Sequence, residues 1–192
     1  MKHTRIIMAM LMLLGAASLA EAQIVVSSTT ASTIREKSGR EKGLVIRPDL
    51  GAGWGVAYGP LLVEINGTIA YQLNPYLAIG VGLGYDYDRY GDNNLSFLPV
   101  FVNARAYFCD RKWSPFLDLK IRYVTNINKV ETYQYGYLSE TYVKGLSYGG
   151  TLGVQYNNFD FGVSGYFLDV HKDMSGWAFT INVGYNFQLK KK

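Results

Sequence analysis

The stretch WAFTINVGYNFQL, residues 177–189, decides the fold. Its large apolar residues occupy alternate positions, and small or polar residues fill the positions between them. Side chains along a β-strand point alternately to its two faces, so the stretch predicts a strand with one apolar and one polar face. A tryptophan stands at one end and two aromatic residues near the other, as in the aromatic girdles of membrane-spanning β-barrel strands. The apolar set is Trp177, Phe179, Ile181, Val183, Tyr185 and Phe187, and the other set is Ala178, Thr180, Asn182, Gly184 and Asn186.

The same alternation recurs upstream, most regularly in residues 77–87, where Leu, Ile, Val and Tyr alternate with Ala, Gly and Asp. Counting every such stretch gives eight strands, an even number, as bacterial single-chain membrane barrels have. We therefore predict an all-β fold, an eight-stranded antiparallel up-and-down transmembrane β-barrel. The predicted strands span residues 44–56, 61–73, 77–87, 97–108, 115–125, 142–156, 159–168 and 177–189.

The connections between these strands alternate in length, which suits short turns at one end of a barrel and longer loops at the other. Pro48 falls inside the first strand and lacks an N–H donor, so we predict a bulge or a local pairing defect there. The predicted tight turns are 73–76, 109–114 and 157–158, and the predicted loops are 57–60, 90–94, 126–140 and 169–176.

The N-terminus has the pattern of a secretory signal peptide. Lys2 and Arg5 precede an apolar run that is too short for a membrane anchor, and Ala20-Glu21-Ala22 forms an Ala-x-Ala cleavage site. The predicted organisation is a cleaved signal peptide over 1–22, a polar periplasmic lead-in over 23–43, the β-barrel over 44–189 and a basic tail over 190–192.

Composition excludes several classes of protein. Charged residues make up 18% of the chain, below the roughly 25% of soluble domains, while aromatic residues make up 15%. After the signal segment, no apolar run is long enough for a transmembrane helix. A net charge of +4 is too small to indicate nucleic-acid binding. Cys109 is the only cysteine, so no intramolecular disulfide can form, and we predict that it is a small apolar turn residue.

The glycine-rich and charged set of positions shows which face of the strands lies inside. In a soluble barrel these positions would face water, but glycine weakens an exposed strand surface. Three charges in residues 115–125 fall on this set, and each would cost about 2–4 kcal/mol at the lipid midplane. We therefore predict a polar network that fills the lumen with salt bridges, the alternative being a conducting or ligand-binding path. Its predicted members are Arg47, Asp49, Glu64, Asp86, Arg105, Asp118, Lys120 and Arg122.

Three stretches carry a resemblance: YQLNPYLAIGVGLGYDY (71–87), LPVFVNARAYF (98–108) and WSPFLDLKIRY (113–123), with a closing VGYNF. They resemble the small outer-membrane β-barrel domain proteins common in Bacteroidetes, which are related to eight-stranded OmpA/OmpX-type and opacity-type barrels. The resemblance implies an outer-membrane location and an eight-stranded barrel, and it implies no reaction. The partners expected on this basis are outer-membrane lipid and, during biogenesis, the barrel-assembly machinery.

Two loops contain residues with possible functions. Asp169, His171, Asp173 and Ser175 combine a base, carboxylates and a hydroxyl, but their spacing matches no known catalytic or metal site, so a solvated loop is the simpler interpretation. The loop 126–140 carries three tyrosines that could form a surface-binding site, since tyrosine provides large, rigid contact area. These tyrosines are Tyr133, Tyr135 and Tyr137.

We therefore expect a non-enzymatic outer-membrane barrel with a side-chain-filled lumen and a structural or surface-interaction role. One alternative is a narrow porin or a passage for apolar ligands, and a second is a lipid-modifying outer-membrane enzyme. We expect no cofactor, no metal and no nucleic-acid partner, and a monomeric protein. The surface ligand is unknown.

Overall fold

A computed structural model of the chain describes residues 37–55, 61–90, 93–127, 130–134, 137–141, 144–169 and 175–189. Within them the chain forms eleven β-strands. Their bounds are β1 Gly43–Trp54, β2 Leu61–Asn74, β3 Leu77–Tyr90, β4 Asn93–Tyr107, β5 Trp113–Asn126, β6 Val130–Gln134, β7 Tyr137–Thr141, β8 Lys144–Tyr156, β9 Phe159–Asp169, β10 Gly176–Tyr185 and β11 Phe187–Leu189.

Nine of these strands form one closed antiparallel sheet. Each strand pairs with the next along the chain, with β5 passing directly to β8, and β1 pairs back with both β10 and β11. Ile46 opposes Phe187 and Asp49 opposes Gly184 in one continuous register, so β10 and β11 together occupy the eighth position. The predicted fold, a closed eight-stranded antiparallel barrel, is confirmed.

The two faces of the barrel strands differ in exposure. Along β5, Asp118 and Lys120 are buried inside the barrel, whereas Ile121, on the opposite face, is 60% exposed. The same alternation runs along β2, whose even-numbered residues from Leu62 to Gln72 are buried. Because successive side chains point to opposite faces, a single register places every charged residue of β5 in the lumen.

Glycines make room for the large lumen side chains. A Cβ at Gly82 would overlap the ring of Phe101, and one at Gly51 would overlap the Asn182 amide. An eight-stranded barrel is only wide enough for its side chains, so each bulky inward residue needs a small one beside it.

The tight turns follow local asparagine chemistry. The Asn74 side-chain oxygen accepts hydrogen bonds from the backbone N–H groups of Tyr76 (2.8 Å) and Leu77 (2.9 Å), which reverses the chain between β2 and β3. Asn157 adopts a left-handed conformation (φ 53°) in the turn between β8 and β9, a conformation that asparagine tolerates well. These predicted turns are therefore confirmed, and with the β4–β5 turn at 108–112 they define the turn end of the barrel.

Three predicted boundaries were wrong. The segment 126–140 is not simply a loop, because β6 and β7 pair as a separate hairpin rich in β-branched and aromatic residues. The predicted loop 90–94 is shorter, since β3 and β4 stay paired as far as Tyr90 and Asn93. β5 begins at Trp113, within the predicted turn, because Trp113 pairs with Tyr156. In each case strand pairing overrides polar composition.

Pro48 does not cause a bulge, so that part of the prediction was wrong. The register of β1 against β2 is continuous from Arg47 through Pro48 to Asp49. A pairing defect does occur on the other edge of β1, where pairing stops between Ile46 and Asp49. Asn186, which lies between β10 and β11 at this gap, donates its N–H to the Asn158 carbonyl on the β9 side, at 2.7 Å. The seam at which the barrel closes is therefore interrupted beside the proline.

Several predictions fall outside the described residues. These are the signal peptide over 1–22, the lead-in up to residue 36, the loop 57–60, residues 170–174 and the basic tail over 190–192. Among the residues that the structure does describe, none forms a helix with the length and apolar character needed to cross a membrane.

Candidate functional site: the polar network of the lumen

The candidate site is the set of charged side chains inside the barrel, to which six of the strands contribute: β1, β2, β3, β4, β5 and β9. Each member comes from the inward-facing positions of a strand, and closure of the sheet brings strands that are distant in sequence to face each other. Asp49 is partly exposed, and the other seven residues predicted for the network are all buried, with at most 7% exposure.

Asp118 is the centre of the group nearest the turn end. Its Oδ2 accepts hydrogen bonds from Nε and Nη2 of Arg105 at 2.9 and 2.8 Å, and its Oδ1 accepts one from the Asn103 amide at 2.8 Å. Arg105 also pairs with Asp160 on β9, and Arg47 Nη1 lies 3.7 Å from Asp118 Oδ2. Two arginines and two carboxylates from four strands thus neutralise one another.

Lys120 lies at the middle of the lumen. Its Nζ is 4.0 Å from Asp49 Oδ2, and the Asn66 amide donates to Asp49 Oδ1 at 2.9 Å. The ammonium also lies 5.2 Å from the centre of the Phe101 ring, within the range of a cation–π interaction. The Tyr166 ring lies on this cation as well, at 6.0 Å, so aromatic faces and the Asp49 carboxylate together hold it.

Arg122 organises the third group, which is nearest the loop end, opposite the turn end. Its Nη1 donates to Glu64 Oε1 at 3.1 Å, its Nη2 pairs with Asp86, and its guanidinium lies 4.6 Å from the centre of the Tyr166 ring. The second oxygen of Glu64 accepts the Thr180 hydroxyl at 2.7 Å. The carboxylate is therefore hydrogen-bonded from both sides of the barrel.

Little free space remains between these groups. A cavity of about 30 Å³ is lined by residues that include Glu64, Asp86 and Tyr166, and another of about 20 Å³ lies beside Lys120 and Asp160. Ligand pockets usually measure about 300–1,000 Å³, and a volume of about 30 Å³ corresponds to one or two water molecules. These two cavities can hold water molecules and are too small for a substrate.

A further cation, Arg40, lies where the lumen meets the turn end. Its Nε donates to the Pro75 carbonyl at 2.8 Å, and its two terminal nitrogens donate to Gln155 Oε1 and Ser114 Oγ, each at 3.0 Å. The guanidinium lies 4.1 Å from the centre of the Tyr107 ring. Burial lowers the pKa of Arg40, and the nearby Tyr107 acts in the opposite direction.

Comparison with known proteins agrees with this architecture. No protein-family model and no curated protein sequence matches the chain. Among solved structures, Neisserial surface protein A is similar with a TM-score of 0.62 at 14% identity, over 77% of this chain and 97% of that one. The N-terminal β-barrel domain of Pseudomonas aeruginosa OprF gives a TM-score of 0.49 at 12% identity, over 77% and 100%. Ail, the attachment invasion locus protein of Yersinia pestis, gives 0.41 at 13% identity, over 76% and 97%.

The chain shares the fold of Neisserial surface protein A, a closed eight-stranded antiparallel β-barrel. At such low identity the likeness concerns the fold alone. It does not bear on the Bacteroidetes kinship expected from the sequence.

Sequence reasoning missed several members of the network. Asp160 pairs with Arg105, and Asn66 and Asn103 each bond a predicted carboxylate. All three occupy inward positions of their strands, so the alternation that identified the charged residues could also have identified them. Arg40 precedes β1 and carries no such signal.

The other predicted sites are only partly described. Tyr133 lies in β6 and Tyr137 in β7, whereas Tyr135, His171 and Asp173 fall outside the described residues. The Ser175 hydroxyl lies 3.5 Å from Asp169 Oδ1. Within the described ranges, no three His, Cys, Asp or Glu side chains are grouped so that they could hold a metal ion.

Cys109 lies in the turn between β4 and β5 as a half-buried free thiol. Its sulfur is 3.3 Å from the Trp113 carbonyl oxygen. It thus occupies the turn position expected from the sequence.

Proposed function

We propose that this chain is a non-enzymatic protein of the outer membrane, exported by a cleaved signal peptide. In this proposal its lumen is filled by side chains and its role is structural or surface-interacting. The observation that carries the proposal is the inversion of polarity between the two faces of the closed barrel. Ion-paired charges lie inside, and aliphatic side chains lie outside all the way round.

The outward band supports a membrane location. One aliphatic residue from each of the eight barrel positions is more than half exposed. Soluble monomers rarely expose a continuous apolar surface of more than a few hundred Å², whereas lipid would cover such a band. The residues are Leu50, Ile65, Leu83, Val102, Ile121, Leu152, Val163 and Ile181.

Aromatic side chains flank this band at both ends. At the turn end the Trp113 and Tyr156 rings lie 4.8 Å apart, and at the loop end the Phe167 and Trp177 rings lie 5.5 Å apart. Such girdles mark the two membrane–water interfaces of barrel proteins. A tilted strand needs roughly 9–11 residues to cross a bilayer. β1–β5 and β8, with 12–15 residues each, exceed that length, and β9 and β10, with 11 and 10 residues, match it.

The filled lumen supports a non-enzymatic role. Its charges are engaged with one another, and no cavity described above approaches the size of a substrate pocket. A role at the surface is supported by the β6–β7 hairpin, which lies between β5 and β8 in the chain, pairs in a sheet of its own and includes two of the tyrosines predicted to bind. Neisserial surface protein A, which shares the fold, is named as a surface protein.

Membrane fractionation tests the location. The full-length protein, expressed in a Gram-negative host, should sediment with the outer membrane, resist carbonate extraction and migrate faster on gels before heating than after. A species recovered only from the soluble periplasmic fraction, with no heat-dependent shift, would contradict the membrane proposal.

Planar-bilayer recording tests the lumen. Purified protein should insert without steady ion conductance, because side chains block the path. Insertion should be verified separately by protease protection, so that a failure to insert is not mistaken for a blocked lumen. Steady conductance would instead favour the narrow-porin alternative.

A further inference from the structure

The turn end of the barrel forms a ring of hydrogen-bond acceptors. They come from three different places in the chain: the β2–β3 turn, the β4–β5 turn and the beginning of β5 together with the end of β8. The ring of Tyr107 forms one wall. The acceptors are the carbonyl oxygens of Pro75 and Cys109, Ser114 Oγ and Gln155 Oε1.

This set of acceptors matches the shape of a guanidinium group. A guanidinium is planar, carries five N–H donors in a fixed fork and stacks on aromatic faces, whereas an ammonium is a compact point charge. Arg40 uses all three of its nitrogens here, on acceptors from separate elements, while its Cζ lies 4.1 Å from the Tyr107 ring centre. A lysine at this position could not reach the four acceptors together.

The residues beside Arg40 fasten the same segment to the barrel. The Ser38 hydroxyl donates to Asp110 in the β4–β5 turn, and the Gln188 amide in β11 donates to the Glu41 carbonyl at 2.7 Å. The segment Lys37–Lys42 therefore crosses from β1 to the turns and to the last strand. Lys37 and Lys42 themselves are exposed.

The closing seam is where such a fastening matters most. β1 pairs with β2 through eleven residue pairs, but with β10 and β11 through six and three. The seam is interrupted at Arg47 and Pro48, close to the turn end. A segment tied both to β11 and to the distant turns would hold this edge closed.

We propose that the turn end of the barrel is a binding site for a guanidinium group, filled by Arg40 of the same chain, and that its occupation locks residues 37–42 across the seam between β1 and β11. The site adjoins the lumen network, because the Tyr107 ring also lies 5.9 Å from the Arg105 guanidinium, and it does not depend on the membrane role proposed above.

Chemical rescue tests the site directly. Full-length protein refolded in detergent micelles would be compared as wild type, Arg40→Ala and Lys42→Ala, the last removing an exposed positive charge from the same segment. We expect Arg40→Ala to lower the thermal unfolding midpoint and Lys42→Ala to leave it unchanged. Millimolar methylguanidinium should raise the midpoint of Arg40→Ala while leaving the wild type unchanged.

Cys109 is a native probe of the same site, because its carbonyl accepts a hydrogen bond from Arg40 and it is the only cysteine in the chain. The rate of maleimide labelling should rise about tenfold in Arg40→Ala, since several charge-assisted hydrogen bonds are lost. It should fall again when methylguanidinium is added. Methylammonium, which has the charge without the planar fork, should not slow it.

Two results would overturn the proposal: equal labelling rates in Arg40→Ala and Lys42→Ala, or protection by methylguanidinium and methylammonium alike. If Arg40→Ala does not refold, Arg40→Lys provides the test, because it keeps the charge and loses the fork. Faster labelling of Arg40→Lys that methylguanidinium reverses would support the site. A maleimide labelling rate of Arg40→Lys equal to that of the wild type would refute it.

Discussion

Ile121 and Arg122 are neighbours in sequence, and their surroundings are opposite. Ile121 is 60% exposed on the outer surface, whereas Arg122 is 4% exposed and pairs with Glu64 and Asp86 in the lumen. The outer surface is a continuous apolar band, and each of its side chains needs only a polarity that suits the surrounding medium. The inside is polar and specific, and each of its charges depends on partners from other strands. Substitutions on the two faces should therefore destabilise the barrel for different reasons.

The largest effect is expected inside, at Arg105. Arg105→Leu removes the cation shared by Asp118 and Asp160 and leaves both carboxylates buried, which should cost about 3–5 kcal/mol in the free energy of unfolding. Urea titration of the refolded protein measures this cost. Arg111→Leu, in the exposed β4–β5 turn, is the control and should change little. A loss below about 1 kcal/mol for Arg105→Leu would mean that the lumen is solvated well enough for its pairs to contribute little.

The next effect is expected outside, at Ile121. Ile121→Lys places a charge on the outward face near the middle of β5, which should cost about 2–4 kcal/mol in phospholipid vesicles. Thr125→Lys, on the same face near the loop end, should cost only about 0–1 kcal/mol. Equal costs at the two positions would argue against a bilayer around the barrel, because the penalty of a charge in lipid depends on its depth.

A pair of glycines on adjacent strands compares the faces without introducing charge. Gly82 points inward, and its new Cβ in Gly82→Ala would meet the Phe101 ring and lie 2.7 Å from the Gly67 carbonyl oxygen. Overpacking of this kind should cost about 1–3 kcal/mol. Gly67 points outward with nothing closer than 4.0 Å, so Gly67→Ala should be neutral or slightly stabilising. If urea titration shows equal changes in the free energy of unfolding for Gly82→Ala and Gly67→Ala, the lumen around Gly82 is less tightly filled than its geometry implies.

The difference between the faces also explains what the sequence could predict. Alternation depends on local chain geometry alone, so Asp118, Lys120 and Arg122 could be assigned to one face from β5 by itself. Which partner each charge meets depends on how the strands are staggered around the closed barrel. Arg105 pairs with Asp160, 55 residues away, and no local pattern specifies that distance.

Arg40 was unpredictable for a related reason. It precedes β1, where the polar composition gives no periodic signal, and its acceptors come from turns that meet only after the sheet has closed. Likewise, the pairing of β6 with β7 could not be separated from a loop by composition, although both segments contain good strand-forming residues.

The smallest effect on stability is expected in the β6–β7 hairpin, which belongs to neither face of the barrel sheet. β6 and β7 pair with each other in a sheet of their own. Because this sheet is separate from the barrel sheet, replacing Tyr133 and Tyr137 together by serine should leave the free energy of unfolding of the barrel within about 0.5 kcal/mol of wild type. Tyr166→Ser is the matched comparison, because Tyr166 is buried in the lumen against Arg122 and should destabilise the barrel at least as much as Gly82→Ala. Urea titration of both variants measures the two free energies of unfolding. A loss in the hairpin variant as large as that of Tyr166→Ser would mean that the hairpin contributes to barrel stability.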